Sequence, residues 1–152
     1  MGTMKILVDA DSCPPQIREI VARAAARLRV QAVFVANRRI PFPGNDYVSG
    51  VIVPAGEGRA DRSIREKTDP GDLVVTRDIP LAALLVEAGA VVINDRGTVY
   101  TAENVRERLS LRDFSLELIK SGVQVERKDR FGRKEVQAFA AAFDRELTKA
   151  LR

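Results

Sequence analysis

The run Val8-Asp9-Ala10-Asp11-Ser12-Cys13-Pro14 sets two carboxylates, a hydroxyl and a thiol immediately after a short apolar stretch. Two acids held side by side repel each other unless a cation, a proton or fixed donors compensate them. The pattern recurs along the chain. Asp78 follows the apolar run 72–76, Asp95 follows 90–93, and Asp61 lies at the start of a helical stretch. Several carboxylates around one or two divalent ions can activate a water and stabilise both oxygens of an in-line displacement at phosphorus. Metal-dependent phosphodiester hydrolysis is therefore the leading chemical expectation.

Composition narrows the choice. The 152 residues contain no histidine and one cysteine. This removes Ser-His-Asp and Cys-His nucleophile systems, His-containing zinc sites and the usual general base. Carboxylates, hydroxyls, one thiol, Lys and Arg remain, so hard cations such as Mg²⁺ or Mn²⁺ are the metals that fit. Cys13 cannot form an intramolecular disulfide, which agrees with a reducing, cytoplasmic setting. No apolar run reaches the roughly 20 residues a membrane span needs, and Met1-Gly2-Thr3 is too short for a signal peptide. Hydrophobic residues make up 45% and charged residues 30%, which together with the length predict one globular domain over residues 4–152. The net charge is +4 and is uneven: residues 1–119 hold 16 basic and 16 acidic side chains, residues 120–152 hold 9 and 5. A basic end beside an acidic site suits a polyanionic partner. No motif encodes an oligomeric state.

The elements that must carry these residues follow from periodicity. Strands are predicted at 5–8, 31–36, 51–53, 72–76 and 90–93. Helices are predicted from Pro14 or Pro15 to Leu28, at 59–67, from Pro80 to about Ala88, at 102–108 and 110–121 with a short break, and at 134–151, with 122–132 as a charged connector. Gly56-Glu57-Gly58 resembles the start of a dinucleotide fingerprint, but its sixth position is Asp61 rather than Gly, and it does not open the first crossover. Alternating strands and helices argue for a three-layer α/β fold, a mainly parallel five-stranded sheet with helices on both faces and right-handed crossovers. Its carboxyl edge, where ligands bind in open parallel sheets, would gather Asp9, Asp11, Asp78 and Asp95, with Asp61 beside them. Asp72 precedes its strand and belongs at the opposite edge.

Each candidate also has a structural alternative. Asp11 and Asp78 suit helix caps, Asp95 suits a turn, and Asp61 suits the positive end of a helix dipole. Asp9 has no such local role. Cys13 reads as a packed small side chain, since no His accompanies it. Ser12 and Thr76 are either capping hydroxyls or ligands of a phosphate or a metal-bound water. Arg38, Arg39, Arg59, Arg62 and Arg96 are candidate phosphate contacts. Phe42 and Tyr47 offer limited stacking for bases. A second enzymatic reading is a phosphatase of the haloacid dehalogenase type with Asp9 as nucleophile: Asp9-Ala10-Asp11 and Thr76 fit its first two motifs. Cys13 stands where Thr or Val is usual, and no Asp-Asp pair closes the site. A third reading is a non-catalytic nucleic-acid-binding domain whose acids are structural.

Ile6-Leu7-Val8-Asp9-Ala10-Asp11-Ser12-Cys13-Pro14, Gly58-Arg59-Ala60-Asp61, the run from Asp72 to Ala82 and Asn94-Asp95-Arg96-Gly97 together resemble the YaiI/YqxD family of bacterial proteins, over about residues 4 to 150. That family is similar in turn to PIN-like domains, whose acids bind Mg²⁺ or Mn²⁺ in RNA-cleaving enzymes. The resemblance implies a PIN-like fold and a metal site of Asp9, Asp61, Asp78 and Asp95, with Asp11 as an additional member. Asp9, Asp78 and Asp95 are then the acids expected in catalysis, and Ser12, Arg59, Arg62, Thr76 and Arg96 the expected substrate contacts. PIN-like domains often carry Glu where Asp61 stands.

Overall fold

The structure, a computed structural model, describes residues 4–56, 58–123 and 131–152. Its strands are β1 (Ile6–Asp9), β2 (Ala32–Ala36), β3 (Val48–Ile52), β4 (Leu73–Val75), β5 (Val91–Ile93) and β6 (Val99–Tyr100). Its helices are α1 (Pro15–Leu28), α2 (Arg59–Lys67), α3 (Ile79–Glu87), α4 (Ala102–Lys120) and α5 (Arg133–Ala150), with a single 3₁₀ turn at Ala10–Ser12. The strands form one sheet in the order β3-β2-β1-β4-β5-β6, parallel except for the antiparallel β5–β6 pair.

Alternation along the strands sorts the core into two layers. Ile6 and Val8 of β1, with Phe34, Leu73, Val75 and Ile93, pack against Ile17 and Val21 of α1 and Phe139 and Phe143 of α5. Leu7, Val35, Val74 and Val92 pack on the other face against Ile64 of α2, Leu81 and Leu85 of α3 and Val105 of α4. Strands buried on both faces read as unbroken apolar runs rather than alternating ones. That is the pattern of β1 and β4 in the sequence.

Chain order reverses between β1 and β4: from β1 the sheet grows outward through β2 and β3 on one side and through β4 and β5 on the other. The carboxyl ends of β1 and β4 therefore flank the topological switch point, the crevice where open α/β sheets bind ligands. At the opposite edge Asp72, only 2% exposed, accepts from Lys5 N, Lys5 Nζ and Asp69 N at 3.0, 2.6 and 2.8 Å. Burial works against the Lys5 ammonium, but the hydrogen bonds and charges of Asp72 and Asp69 more than offset it and hold its pKa above the ordinary value. This clamp fixes the amino ends of β1 and β4 together, as the exclusion of Asp72 from the site requires.

The sheet has six strands, not five. The sixth spans two residues, too few for a period-two signal, and is formed by a turn: Asn94 Oδ1 accepts from Arg96 N and Thr98 N at 2.9 Å each. The helix predicted in two pieces between 102 and 121 is one continuous element. Ser110 turns its hydroxyl back to Arg106 O at 3.3 Å, so the polar residue is absorbed rather than breaking the helix. β3 begins at Val48, three residues earlier than its apolar pattern, because it is an edge strand whose exposed Ser49 and Gly50 carry no apolar signal. Of the predicted connector 122–132, residues 124–130 lie outside the described residues, as does Glu57 of the Gly-x-Gly triplet. Among the described residues no helix is long and apolar enough to cross a membrane.

Candidate functional site

β1 ends in Asp9, 7% exposed, because the strand is buried on both faces to its last residue. β4 ends one residue before Thr76, itself buried. Thr76 Oγ1 donates to Asp9 Oδ2 at 2.9 Å and accepts from Asp78 N at 3.0 Å. One hydroxyl thus ties the two strand ends across the switch point. Asp78 Oδ1 then accepts from Leu81 N at 2.9 Å and caps α3, with Pro80 in the first turn. The cap and the site position of Asp78 coexist in one side chain.

An open cleft of about 720 Å³ lies here, lined by Asp9, Asp11, Ser12, Arg77, Asp78 and Arg112, with Ala60, Ile79 and Pro80 as its apolar wall. Asp11 does not cap α1, whose N-cap is Pro14. Its Oδ2 instead accepts from Asn37 N at 2.7 Å, and its Oδ1 lies 3.8 Å from Arg38 Nε. Asp61, in the first turn of α2, stands within hydrogen-bonding reach of the Asp78 carboxyl. Burial first, then the charge and hydrogen bond of Asp78 and the charge of Asp9, push the Asp61 pKa up to about 6. Asp9 is also raised, by burial above all and then by Asp78 and Asp11, against the stabilising hydrogen bonds of Thr76 and Ser12. Carboxylates compressed in this way favour protons or cations.

Asp95 stands apart from these four. It is 2% exposed and does not line the cleft. Its Oδ2 lies 3.6 Å from Nε of Arg77, which does line it. Burial raises the Asp95 pKa, and Arg77 and Arg96 work against that rise. Asp95 Oδ1 has no hydrogen-bond partner among the described residues. The turn carrying it is pressed onto α5: a Cβ on Gly97, at φ 86°, would lie 2.5 Å from Ala138 O.

The remaining candidates divide. Ser12 Oγ donates to Asp9 O at 3.1 Å and so braces the 3₁₀ turn. Arg62 lies beside Glu66 and Leu84 and does not line the cleft. Arg59 precedes Ala60 on the exposed start of α2 and does not line the cleft. Arg96 reaches Glu135 at 3.7 Å and lies over the Phe131 ring, tying the 94–97 turn to the start of α5. Cys13 is buried, and burial first, with Asp95 second, pushes its thiol up, so it packs rather than reacts. Two cleft residues had no signal assigned to them. Arg77 sits between Thr76 and Asp78, where a cation next to two site residues was the available clue. Arg112 reaches the cleft only because α4 continues past the break expected at 109.

The donor set can be tested against a divalent ion. The donors lining the cleft among the described residues are the carboxylate oxygens of Asp9, Asp11 and Asp78 and the Ser12 hydroxyl, all oxygen, the type Mg²⁺ and Mn²⁺ prefer. Among the described residues no three Asp, Glu or Cys side chains form a ready ligand group. Mg²⁺ usually keeps several waters and takes only one or two carboxylates, so paired acids suffice. The orphaned oxygen of Asp95 is a further group that a cation or water would satisfy.

Fold and site together define a three-layer α/β protein with an acidic cleft at its switch point. The profile of the family described as "Uncharacterized BCR, YaiI/YqxD family" matches residues 7–149. The chain is 52% identical over 149 residues to a UPF0178 protein of Myxococcus xanthus, covering 98% of this chain and 97% of that one. It is 49% identical over 149 residues to one of Treponema denticola, covering 98% and 95%. Against one of Shewanella baltica it is 44% identical over 149 residues, covering 98% and 99%. The chain belongs to the YaiI/YqxD family. No solved structure matches it significantly.

Proposed function

We propose that this is a cytoplasmic, PIN-like, metal-dependent ribonuclease that cleaves RNA phosphodiesters in the cleft between β1 and β4. The observation that carries the reading is the joining of Asp9, Thr76 and Asp78 across the switch point, with Asp11 and Asp61 beside them. Asp9 and Asp78 would hold Mg²⁺ or Mn²⁺ as a pair, with Asp61 beside Asp78, Asp11 at the cleft wall and Asp95 acting through Arg77. Bound there, the ion supplies Lewis acidity toward a phosphoryl oxygen and lowers the pKa of a coordinated water. The chain's own residues do the rest. Arg77 and Arg112 on the cleft wall offer N–H donors to phosphate oxygens. Thr76 fixes the Asp9 carboxylate. The excess of basic side chains after residue 119 favours association with a polyanion.

The phosphatase reading asks Asp9 to attack phosphorus, but its Oδ2 accepts from Thr76 and the sequence has no Asp-Asp pair to close such a site. Single-stranded RNA incubated with the protein and Mn²⁺ tests the proposal. Cleavage is expected, with a loss of at least 100-fold in Asp9→Asn and in Asp78→Asn, of the order seen when one transition-state contact is removed. Full activity in both variants, or RNA binding without cleavage in the native chain, sinks it.

A further inference from the structure

A second cavity, of about 400 Å³, lies beyond the acidic cleft at the carboxyl ends of β2 and β3. Its apolar walls are Phe34, Ala36, Phe42 and Ile52, and Arg38 and Arg39 stand at its rim. Among the described residues no carboxylate lines it. Phe42 lies flat on Phe34, with ring centroids 4.9 Å apart and planes 8° from parallel. Gly50, the register partner of Phe34 on the edge strand, makes room for that ring: a Cβ there would meet Phe42 Cε1 at 3.1 Å. Phe42 is half-buried, Ile52 is 63% exposed, and both arginines are exposed.

We infer that this cavity is a nucleobase subsite, which takes one unpaired base of a single-stranded RNA while the neighbouring phosphate lies in the acidic cleft. The inference rests on the ribonuclease reading for the second half of that statement only. An aromatic face with apolar walls suits a base of any identity, and the two exposed arginines at the rim suit the phosphate that accompanies it. Arg39 has no carboxylate partner among the described residues, and the contact between Arg38 and Asp11 is long and exposed. The two sites share a wall. Asp11 lines the cleft, accepts from Asn37 N, and faces Arg38 of the cavity rim. Val35, next to Ala36, pairs in register with Asp9, and Ala36 pairs with Ile52. The two sites are thus separated by about two strand spacings, roughly 10 Å. A base in one and a phosphate in the other can belong to adjacent nucleotides. Base-paired RNA cannot present a splayed base to such a pocket, so the substrate class is single-stranded or looped RNA.

The test is fluorescence anisotropy with a labelled single-stranded RNA decamer in EDTA, where no divalent ion is available and binding is read apart from cleavage. The single strand is expected to bind at least tenfold more tightly than the matching duplex. Phe42→Leu, which removes the ring and keeps most of the bulk, should weaken the decamer about tenfold and leave an abasic decamer unchanged. Arg39→Gln should weaken both oligomers several-fold. Ile52→Glu, at an exposed position where folding is not at stake, should weaken both by placing a negative charge at the cavity mouth. Equal binding of single strand and duplex, or native affinity in Arg39→Gln and Ile52→Glu, overturns the subsite. Cleavage with Mn²⁺ that depends on Asp78 but not on these residues would leave the ribonuclease reading standing and remove only the pocket.

Discussion

Thr76 is a single hydroxyl on which two acids depend. It receives Asp78 N and gives its proton to Asp9, so its loss leaves a buried carboxylate oxygen short of a donor. Thr76→Val should lower stability by about 1–2 kcal/mol and reduce RNA cleavage by about 10-fold to 100-fold, as for groups that orient a metal ligand. Thr76→Ser, which keeps the hydroxyl, should restore both; urea midpoints and initial cleavage rates check the pair. Asp61 makes a prediction of opposite sign for stability. Its folded pKa of about 6 lies above the ordinary 3.8. The folded chain therefore binds the proton more tightly than the unfolded one, and this contribution is complete below 3.8 and lost as pH rises through about 6. Discounted for a side chain that is partly open to solvent, the loss is about 1 kcal/mol. In EDTA, Asp61→Asn should be more stable than the native chain by that amount at pH 7.5, and the gap should close toward pH 4 in urea titrations. Asp9 and Asp95, also raised, act in the same direction.

At this scale the sequence was informative about Asp9 and ambiguous about the rest, for a physical reason. A strand-end acid with no following backbone to cap stands out on its own. Asp78 satisfies a helix terminus and faces the cleft together, so no local rule separates its two roles. Asp95 follows an apolar run as Asp9 does, yet the structure directs it to Arg77 and keeps it off the cleft lining. The phase of a three-residue strand decides which face receives the next side chain, and that phase depends on pairing the sequence does not state.

The elements were legible wherever length or punctuation marked them. α1 and α2 fall where their prolines, glycines and apolar spacing put them, and β1, β4 and β5 match their apolar runs within a residue or so. β6 and the unbroken α4 were hidden, the first because two residues carry no period and the second because Ser110 satisfies itself within the helix. The 94–97 turn shows how tightly an element can be tied without a periodic signal. Gly97 combines a φ of 86° with a backbone approach that leaves no room for a methyl group against Ala138 O. Gly97→Ala should therefore cost about 2–4 kcal/mol, from left-handed strain plus displacement of α5. A lower urea midpoint with an unchanged m-value would show it, and native stability would refute the close packing of turn on helix.

For the whole molecule, the strand order decides where the site lies more than any single motif. Five parallel strands with a reversal between β1 and β4 bring together residues 9 and 78, 69 positions apart in sequence, while the Lys5–Asp72–Asp69 clamp holds the same two strands at their other ends. The lack of histidine leaves carboxylates, arginines and a hydroxyl as the polar groups of the crevice among the described residues, a set suited to a hard cation and a phosphate. Calorimetric titration of Mn²⁺ into the purified protein at pH 7.5 tests this account most directly. It predicts saturable binding that is weakened about 10-fold or more in Asp9→Asn and Asp78→Asn and unchanged in Asp46→Asn, a surface acid outside the cleft. Absence of Mn²⁺ binding to the native chain, or equal binding in all four proteins, would contradict it.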